Sequence, residues 1–289
     1  MDEVLVIDIG GTKTNVSFVK SEDSKIEIVS SNILKTPSSP EQAIKEICSI
    51  YNSQNKRLSH ISLSLPGFWD KNGVLKESYF LHDWLNYPFV NSLAKVLEVK
   101  NYSWETDVIC GALGEYHVAG TVHNQSLLYI NLGTGVGAAL IKDGKPYKAG
   151  KSVAPTLRMQ KLVFPFQDEL FTGVDLISGG TLLQYAQYDS IETLYSDYKK
   201  GDVEAFDIIS KAQIQLAAWL INLFYLFSPD LIVLNGGLVY DWEVLASDAI
   251  ELVKEELEDQ VEVLPSKLKE MAPIYGAYLN FCNVLKSRV

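Results

Sequence analysis

The sequence predicts an α/β protein of two lobes with related topology. Residues 4–19 (VLVIDIGGTKTNVSFV) are the first sign. An apolar strand ends at Asp8, the chain turns through Gly10, Gly11 and Thr12, and an alternating run leaves from Asn15. Residues 127–141 (LLYINLGTGVGAALI) repeat the plan, with a strand ending at Asn131, a turn at Gly133, Thr134, Gly135 and Gly137, and a second apolar strand. Asp8 falls against Asn131 and Gly10 against Gly133, so one supersecondary unit is used twice. The third sign is size: 289 residues with 47% hydrophobic content suit two domains, each with its own core.

Either hairpin alone could be a plain Gly-Gly turn. Together they suit phosphate binding, because glycine lets backbone N–H groups approach an anion, and Thr12 and Lys13 add a hydroxyl and an ammonium. Asp8, at a strand end, could hold magnesium directly or through water. Neither turn has the Gly-Lys-Ser/Thr ending of a P-loop. Neither completes G-x-G-x-x-G, since Ala138 stands where the third glycine would be.

The net charge of −11 argues against a nucleic-acid or anionic-membrane partner, since either needs a basic face. An anionic cofactor stays compatible where glycine turns and helix N-termini supply local positive potential. Cys48, Cys110 and Cys282 are odd in number and far apart, which suits reduced thiols and a cytoplasmic location. The first strand begins almost at Met1, so no signal peptide is expected. The apolar run 216–227 is broken by Asn222 and is too short to span a bilayer.

Along the chain, residues 25–34 read as a strand, and 36–42 as a loop that ends in a cap for a helix through Tyr51. Residues 57–65 are a strand closed by Pro66 and Gly67, which reads either as a tight turn or as backbone left bare for a ligand. Residues 69–87 are irregular and aromatic, either lining a pocket or packing under a loop. A helix over 89–97 and a strand over 99–104 lead to Glu105, Thr106 and Asp107, then to a helix over 108–118. Asp107 there serves equally as N-cap or ligand. Asp143 and Gly144 make a turn; 145–167 read as loop with short strands, and 167–188 as helix in two pieces. Asp202 caps a long helix over 203–227 that Pro229 stops. A strand over 231–234 ends in a third glycine turn at Asn235, Gly236 and Gly237, and helices follow over 242–258 and 271–285.

Taken in order, these pieces resemble the ROK family of sugar kinases, within the actin, hexokinase and Hsp70 ATPase superfamily. The resemblance rests on residues 8–13 (DIGGTK), 65–67 (LPG), Asp107 before 112–115 (ALGE), 132–137 (LGTGVG), and 228–230 (SPD) leading to 235–237 (NGG). It implies a two-lobed actin-like ATPase (ribonuclease H-like) fold, each lobe a mixed sheet flanked by helices, with the active site in the cleft between lobes. The expected lobes are 1–107, with the helix at 272–289 packing back on it, and 108–271. By the same resemblance Gly10, Gly11, Thr12, Lys13, Gly133, Thr134 and Gly135 hold the ATP phosphates, Asp8 holds magnesium, and Gly236 and Gly237 make room for adenosine. Asp107 is the base that takes the proton from the attacking hydroxyl. Pro66, Gly67, Thr106, Asp107, Thr156 and Glu169 face the sugar.

Departures from the family pattern fall on the sugar side. Thr106 stands where Asn is usual. Residues 154–159 (APTLRM) replace Ala-Gly-Glu-x-Gly-His, which puts Thr156 in place of a sugar-binding glutamate and Met159 in place of a zinc-binding histidine. With no clustered Cys and His, no structural zinc is expected. Asp168 or Glu169 is either a substitute carboxylate or an ordinary acid at a helix start. Residues 176–180 (LISGG) resemble a segment of zinc-free bacterial glucokinases. The activity implied is ATP-dependent phosphorylation of a hexose or amino-hexose such as glucose, glucosamine or an N-acetylhexosamine at O6, by a homodimer. The alternatives are a sugar-sensing regulator, against which the lack of residues before the first strand counts, and a binder that has lost catalysis, against which Asp8 and Asp107 count.

Overall fold

The residues from Val4 to Ile9 form β1 because they are apolar on alternate faces and both faces are covered. Leu5, Ile7 and Ile9 pack in one core, and Val4 and Val6 in another. The computed structural model describes residues 3–22, 25–55, 57–120, 125–148, 161–163, 170–172 and 177–286. The chain divides into two units, Met1–Gly114 with Met271–Val289, and Glu115–Glu270, so the division falls inside a helix rather than at its start.

In the first unit, β2 (Lys13–Glu22), β3 (Lys25–Lys35), β4 (His60–Leu65) and β7 (Asn101–Thr106) complete a sheet in the order β3-β2-β1-β4-β7. The first three strands are antiparallel, while β1, β4 and β7 run parallel. One face packs on helices α1 (Pro40–Ser53) and α2 (Phe89–Val96) through Ile47, Tyr51, Phe89 and Leu93. Ser39 caps α1 by accepting from the Gln42 N–H at 3.1 Å, and Pro40 fits the first turn, as the sequence indicated. The other face meets Cys110 of α3 (Asp107–Ala119) and Ile274, Ala277 and Tyr278 of the last helix, α8 (Ala272–Lys286). A side chain such as Ile274 taken fully out of water contributes roughly 1.5–3 kcal/mol. A Cβ on Gly276 would collide with the Cys110 carbonyl, which lets α8 and α3 cross closely.

The second unit repeats the plan. β8 (Ser126–Leu132), β9 (Val136–Lys142), β10 (Lys145–Pro146), β13 (Leu231–Asn235) and β14 (Glu262–Pro265) lie in the order β10-β9-β8-β13-β14, again antiparallel and then parallel. Helices α4 (Gly179–Ala186), α5 (Ile191–Lys199), α6 (Val203–Phe227) and α7 (Trp242–Leu257) pack on it through Leu182, Leu194, Trp219, Leu220 and Leu245. Asp202 caps α6 by accepting from the Ala205 N–H at 2.9 Å, and Ser228 ends it in a left-handed conformation before Pro229. Among the described residues no helix is long and apolar enough to cross a membrane. The twin sheets are the mixed α/β plan that the repeated hairpin predicts.

Several local expectations differ from the structure. Leu170–Thr172 is a strand, β12, paired antiparallel with β11 (Lys161–Val163), where helix was expected; pairing across the chain outweighs a loose helical pattern. The irregular stretch 69–87 holds a small hairpin, β5 (Phe68–Trp69) with β6 (Leu75–Glu77). Helix α5 and strand β14 were not anticipated. β14 is short and acid-flanked, and only its pairing with β13 makes it a strand.

Candidate active site

Parallel pairing brings three separated motifs to one end of the first sheet. Asp8 lies opposite Ser64, Ser64 opposite Glu105, and Leu65 opposite Thr106. Thus Asp8, the Pro66–Gly67 turn and Asp107 sit at the carboxyl ends of three adjacent strands, the usual place for ligands in such sheets. Ser64 Oγ donates to Asp8 Oδ1 at 2.6 Å. Burial pushes the Asp8 carboxyl up to about 7, with the Ser64 bond opposing the shift and the charge of nearby Asp107 adding to it. A carboxyl held protonated by burial and a neighbouring acid fits a bound cation, which would draw off its proton.

Asp107 opens α3, and its Oδ1 accepts from the Val108 N–H at 2.9 Å. The N-cap that might have claimed it comes instead from Thr106, whose Oγ1 accepts from the Ile109 N–H at 3.4 Å. Cys110, one turn further on, is fully buried; burial first, then the Glu105, Asp8 and Asp107 charges, hold its thiol well above the usual range. It is therefore a poor nucleophile.

The turn at Gly10–Thr12 is pinned from behind. Gly10 N–H donates to the Lys13 carbonyl at 2.8 Å, Thr36 Oγ1 donates to the Gly10 carbonyl at 2.7 Å, and Thr36 N–H donates to the Thr12 carbonyl at 2.9 Å. A Cβ on Gly10 would meet the Lys13 carbonyl at 2.9 Å. Gly67 has φ +90°, a left-handed torsion, and its bare Cα faces the Glu77 carbonyl.

In the second unit Asn131 and Asn235 face each other across β8 and β13, so Gly133–Gly135 and Gly236–Gly237 leave the same end of adjacent parallel strands. The first of these turns is held by a helix. Gly179 N–H donates to the Gly133 carbonyl at 2.8 Å, and Gly180 N–H to the Thr134 carbonyl at 3.1 Å. A Cβ on Gly179 would approach that Gly133 oxygen to 2.9 Å, which explains the glycines of the 176–180 segment. Gly236 has φ +100° and lies against the Leu132 carbonyl, whereas a Cβ on Gly237 would meet nothing within 4 Å among the described residues. Asn235 is buried, and its Nδ2 donates to Tyr129 Oη at 2.6 Å and to the Lys269 carbonyl at 3.2 Å.

Glu115 is a residue whose role the sequence did not disclose. It is 1% exposed, yet its oxygens accept from Ser266 Oγ at 2.5 Å, Leu268 N–H at 2.9 Å and Lys267 N–H at 3.1 Å. It fixes the loop that presents the Lys269 carbonyl to Asn235. The sequence marked it only as the last residue of the 112–115 (ALGE) motif, with no partner assigned. A cavity of about 330 Å³ beside it contains none of the expected site residues. Thr156, Asp168 and Glu169, with the segment 154–159, lie outside the described residues. Among those described, no cluster of three or more His, Cys, Asp or Glu could hold a metal ion.

The chain is similar to several known proteins. A glucokinase of Thermotoga maritima is 24% identical over 319 residues, covering 99% of this chain and 98% of its own. An N-acetyl-D-glucosamine kinase of Aliivibrio salmonicida is 26% identical over 260 residues, covering 80% of this chain and 83% of its own. The crystal structure of a ROK hexokinase from Thermus thermophilus superposes with a TM-score of 0.81 at 21% identity, over 99% of this chain and all of that one. The family model described as ROK family matches residues 4–157 and 175–282, most of the sequence. The twin sheets, their glycine turns and Asp107 thus belong to a chain that is a member of the ROK family.

Proposed function

We propose that this protein is an ATP-dependent kinase that phosphorylates a hexose or amino-hexose, with O6 as the acceptor. The observation that carries the reading is the convergence of Asp8, Gly67 and Asp107 on the carboxyl ends of β1, β4 and β7. The sugar kinases among its relatives support it. In this reading Pro66, Gly67 and Thr106 border the sugar, and Asp107 orients the attacking hydroxyl. A bond forms between that oxygen and the γ-phosphorus as the bond to the β,γ-bridging oxygen breaks, and the hydroxyl proton passes to Asp107. Such a base is worth about 10²–10⁴-fold in rate. Gly10, Gly11, Thr12, Lys13, Gly133, Thr134 and Gly135 stay assigned to the phosphates by family resemblance. Gly236 and Gly237 are assigned to adenosine. Asp8 would hold magnesium, which supplies charge neutralisation at the phosphates. Thr156, at the place of the family's sugar-binding glutamate, and Glu169, as a substitute carboxylate, stay assigned to the sugar; the homodimer rests on the family resemblance and the cytoplasmic location on the three separated cysteines.

The test is ADP release over a panel of hexoses and their N-acetyl derivatives, run beside Asp107→Asn. The parent is expected to turn over at least one of them, and the variant to lose about 10²–10⁴-fold while still binding ATP. Equal turnover by both would remove Asp107 from the role of base. A parent inactive with every sugar would point to a sensor or a binder.

A further inference from the structure

Between β6 and the 3₁₀ turn at His82–Trp84, residues 78–81 form a tight corner. Ser78 Oγ accepts from the N–H groups of Phe80 and Leu81, each at 3.2 Å. This corner touches two turns given separate tasks above. A Cβ on Gly67 would meet Ser78 Cβ at 3.1 Å, and a Cβ on Gly11 would meet Phe80 Cγ at 2.6 Å and Phe80 Cβ at 2.8 Å. The aromatic ring therefore leans on the phosphate turn, two residues from a contact with the sugar turn. It is also left half in water. Phe80 is 49% exposed, with Phe68 beside Gly67 at 51% and Tyr79 at 65%. An apolar patch rimmed by binding turns marks a surface meant to be covered by a ligand.

Gly11 adds a second observation. Its φ is outside the left-handed region, so its backbone would accept alanine, and the obstacle to a Cβ there is Phe80. The first turn therefore carries a glycine for the sake of an aromatic neighbour.

Resting on the kinase reading above, we propose that Phe80 is a positioning residue that shields the transfer point. Its ring backs the phosphate turn and gives the apolar face of the sugar ring a surface to lie on. It thereby keeps water from taking the place of the sugar hydroxyl. Water attacks the same phosphorus, breaks the same bond to the bridging oxygen and yields orthophosphate. The residue therefore matters most to the partition between the two acceptors.

The experiment measures ADP and sugar phosphate together in the parent, Phe80→Ala, Phe80→Leu and Phe80→Tyr. In Phe80→Ala the ratio of ATP hydrolysed to sugar phosphorylated is expected to rise about tenfold or more, with a higher KM for sugar. Phe80→Leu is expected to fall between, and Phe80→Tyr to match the parent. A purely structural role would lower both outputs together. A parental ratio in folded Phe80→Ala and Phe80→Leu overturns the proposal; should the alanine variant not fold, the leucine variant decides. Binding of a non-hydrolysable ATP analogue gives a readout free of turnover. Gly11→Ala is expected to weaken it about tenfold or more, and Gly11→Ala with Phe80→Ala to recover most of that loss. No recovery in the double variant counts against the contact. A parent that phosphorylates no sugar ends the kinase reading itself, whereas an active parent with an unchanged partition ends only this one.

Discussion

The two glycine turns share a sequence pattern and are held by different means. At Gly10–Thr12 side chains add to the backbone bonds that Gly10 makes to Lys13 and Thr36 makes to Thr12. The Thr36 hydroxyl takes the Gly10 carbonyl from behind, and Phe80 presses on Gly11. At Gly133–Gly135 backbone does the holding, as the first N–H groups of α4 donate to the Gly133 and Thr134 carbonyls, while a Cβ on Gly135 would meet nothing within 4 Å among the described residues. The penultimate residue of the preceding strand also differs. Asp8 is an acid whose carboxyl burial pushes up to about 7, and Asn131, its counterpart, is neutral. A repeated motif therefore says that the chain turns in the same way. It does not say why each glycine is there.

The largest expected effect comes from making the first strand end resemble the second. In metal-free protein the native Asp8 keeps its proton up to about 7, while the unfolded chain loses it near the ordinary value of 3.8. The native state then binds more protons across that window, so stability falls as pH rises from about 4 to 7. Asp8→Asn should flatten this fall, by up to about 4 kcal/mol, as read by denaturant unfolding at several pH values. A parent whose stability does not drop across the window would contradict the burial that raises Asp8.

Next is the helix that supports the second turn. Gly179→Ala drives a Cβ into the Gly133 carbonyl and should cost about 1–3 kcal/mol, with a matching loss of nucleotide affinity. An unchanged unfolding midpoint would mean that α4 does not brace the turn. The smallest stability effect belongs to Gly135→Ala, which should stay within about 0.5 kcal/mol of the parent because no described residue lies within 4 Å of the added Cβ. If it nevertheless weakens ATP binding, the space it leaves is used by ligand. If binding is unchanged, Gly135 leaves the phosphate set.

Much of the fold was legible because its signals are local. The apolar alternation of β1 and β8, the caps Ser39 and Asp202 and the stop at Ser228–Pro229 each depend on residues within a few positions of one another. Asp8, Gly67, Asp107 and the glycine turns could be named as candidates for the same reason. Their neighbours could not. Ser64 lies 56 residues from the Asp8 it supports, and Ser266 lies 151 residues from Glu115. No local pattern marks either pair.

The sequence by itself determined that one strand-turn-strand unit would be built twice, because side-chain periodicity and glycine torsions act over a handful of bonds. Only the tertiary structure decided that 262–265 would be a strand, that Asp8, Gly67 and Asp107 would share one sheet end, and that Phe80 would lie on Gly11. Those outcomes rest on contacts between distant segments. Pairing partners and packing, rather than intrinsic preference, set their energies.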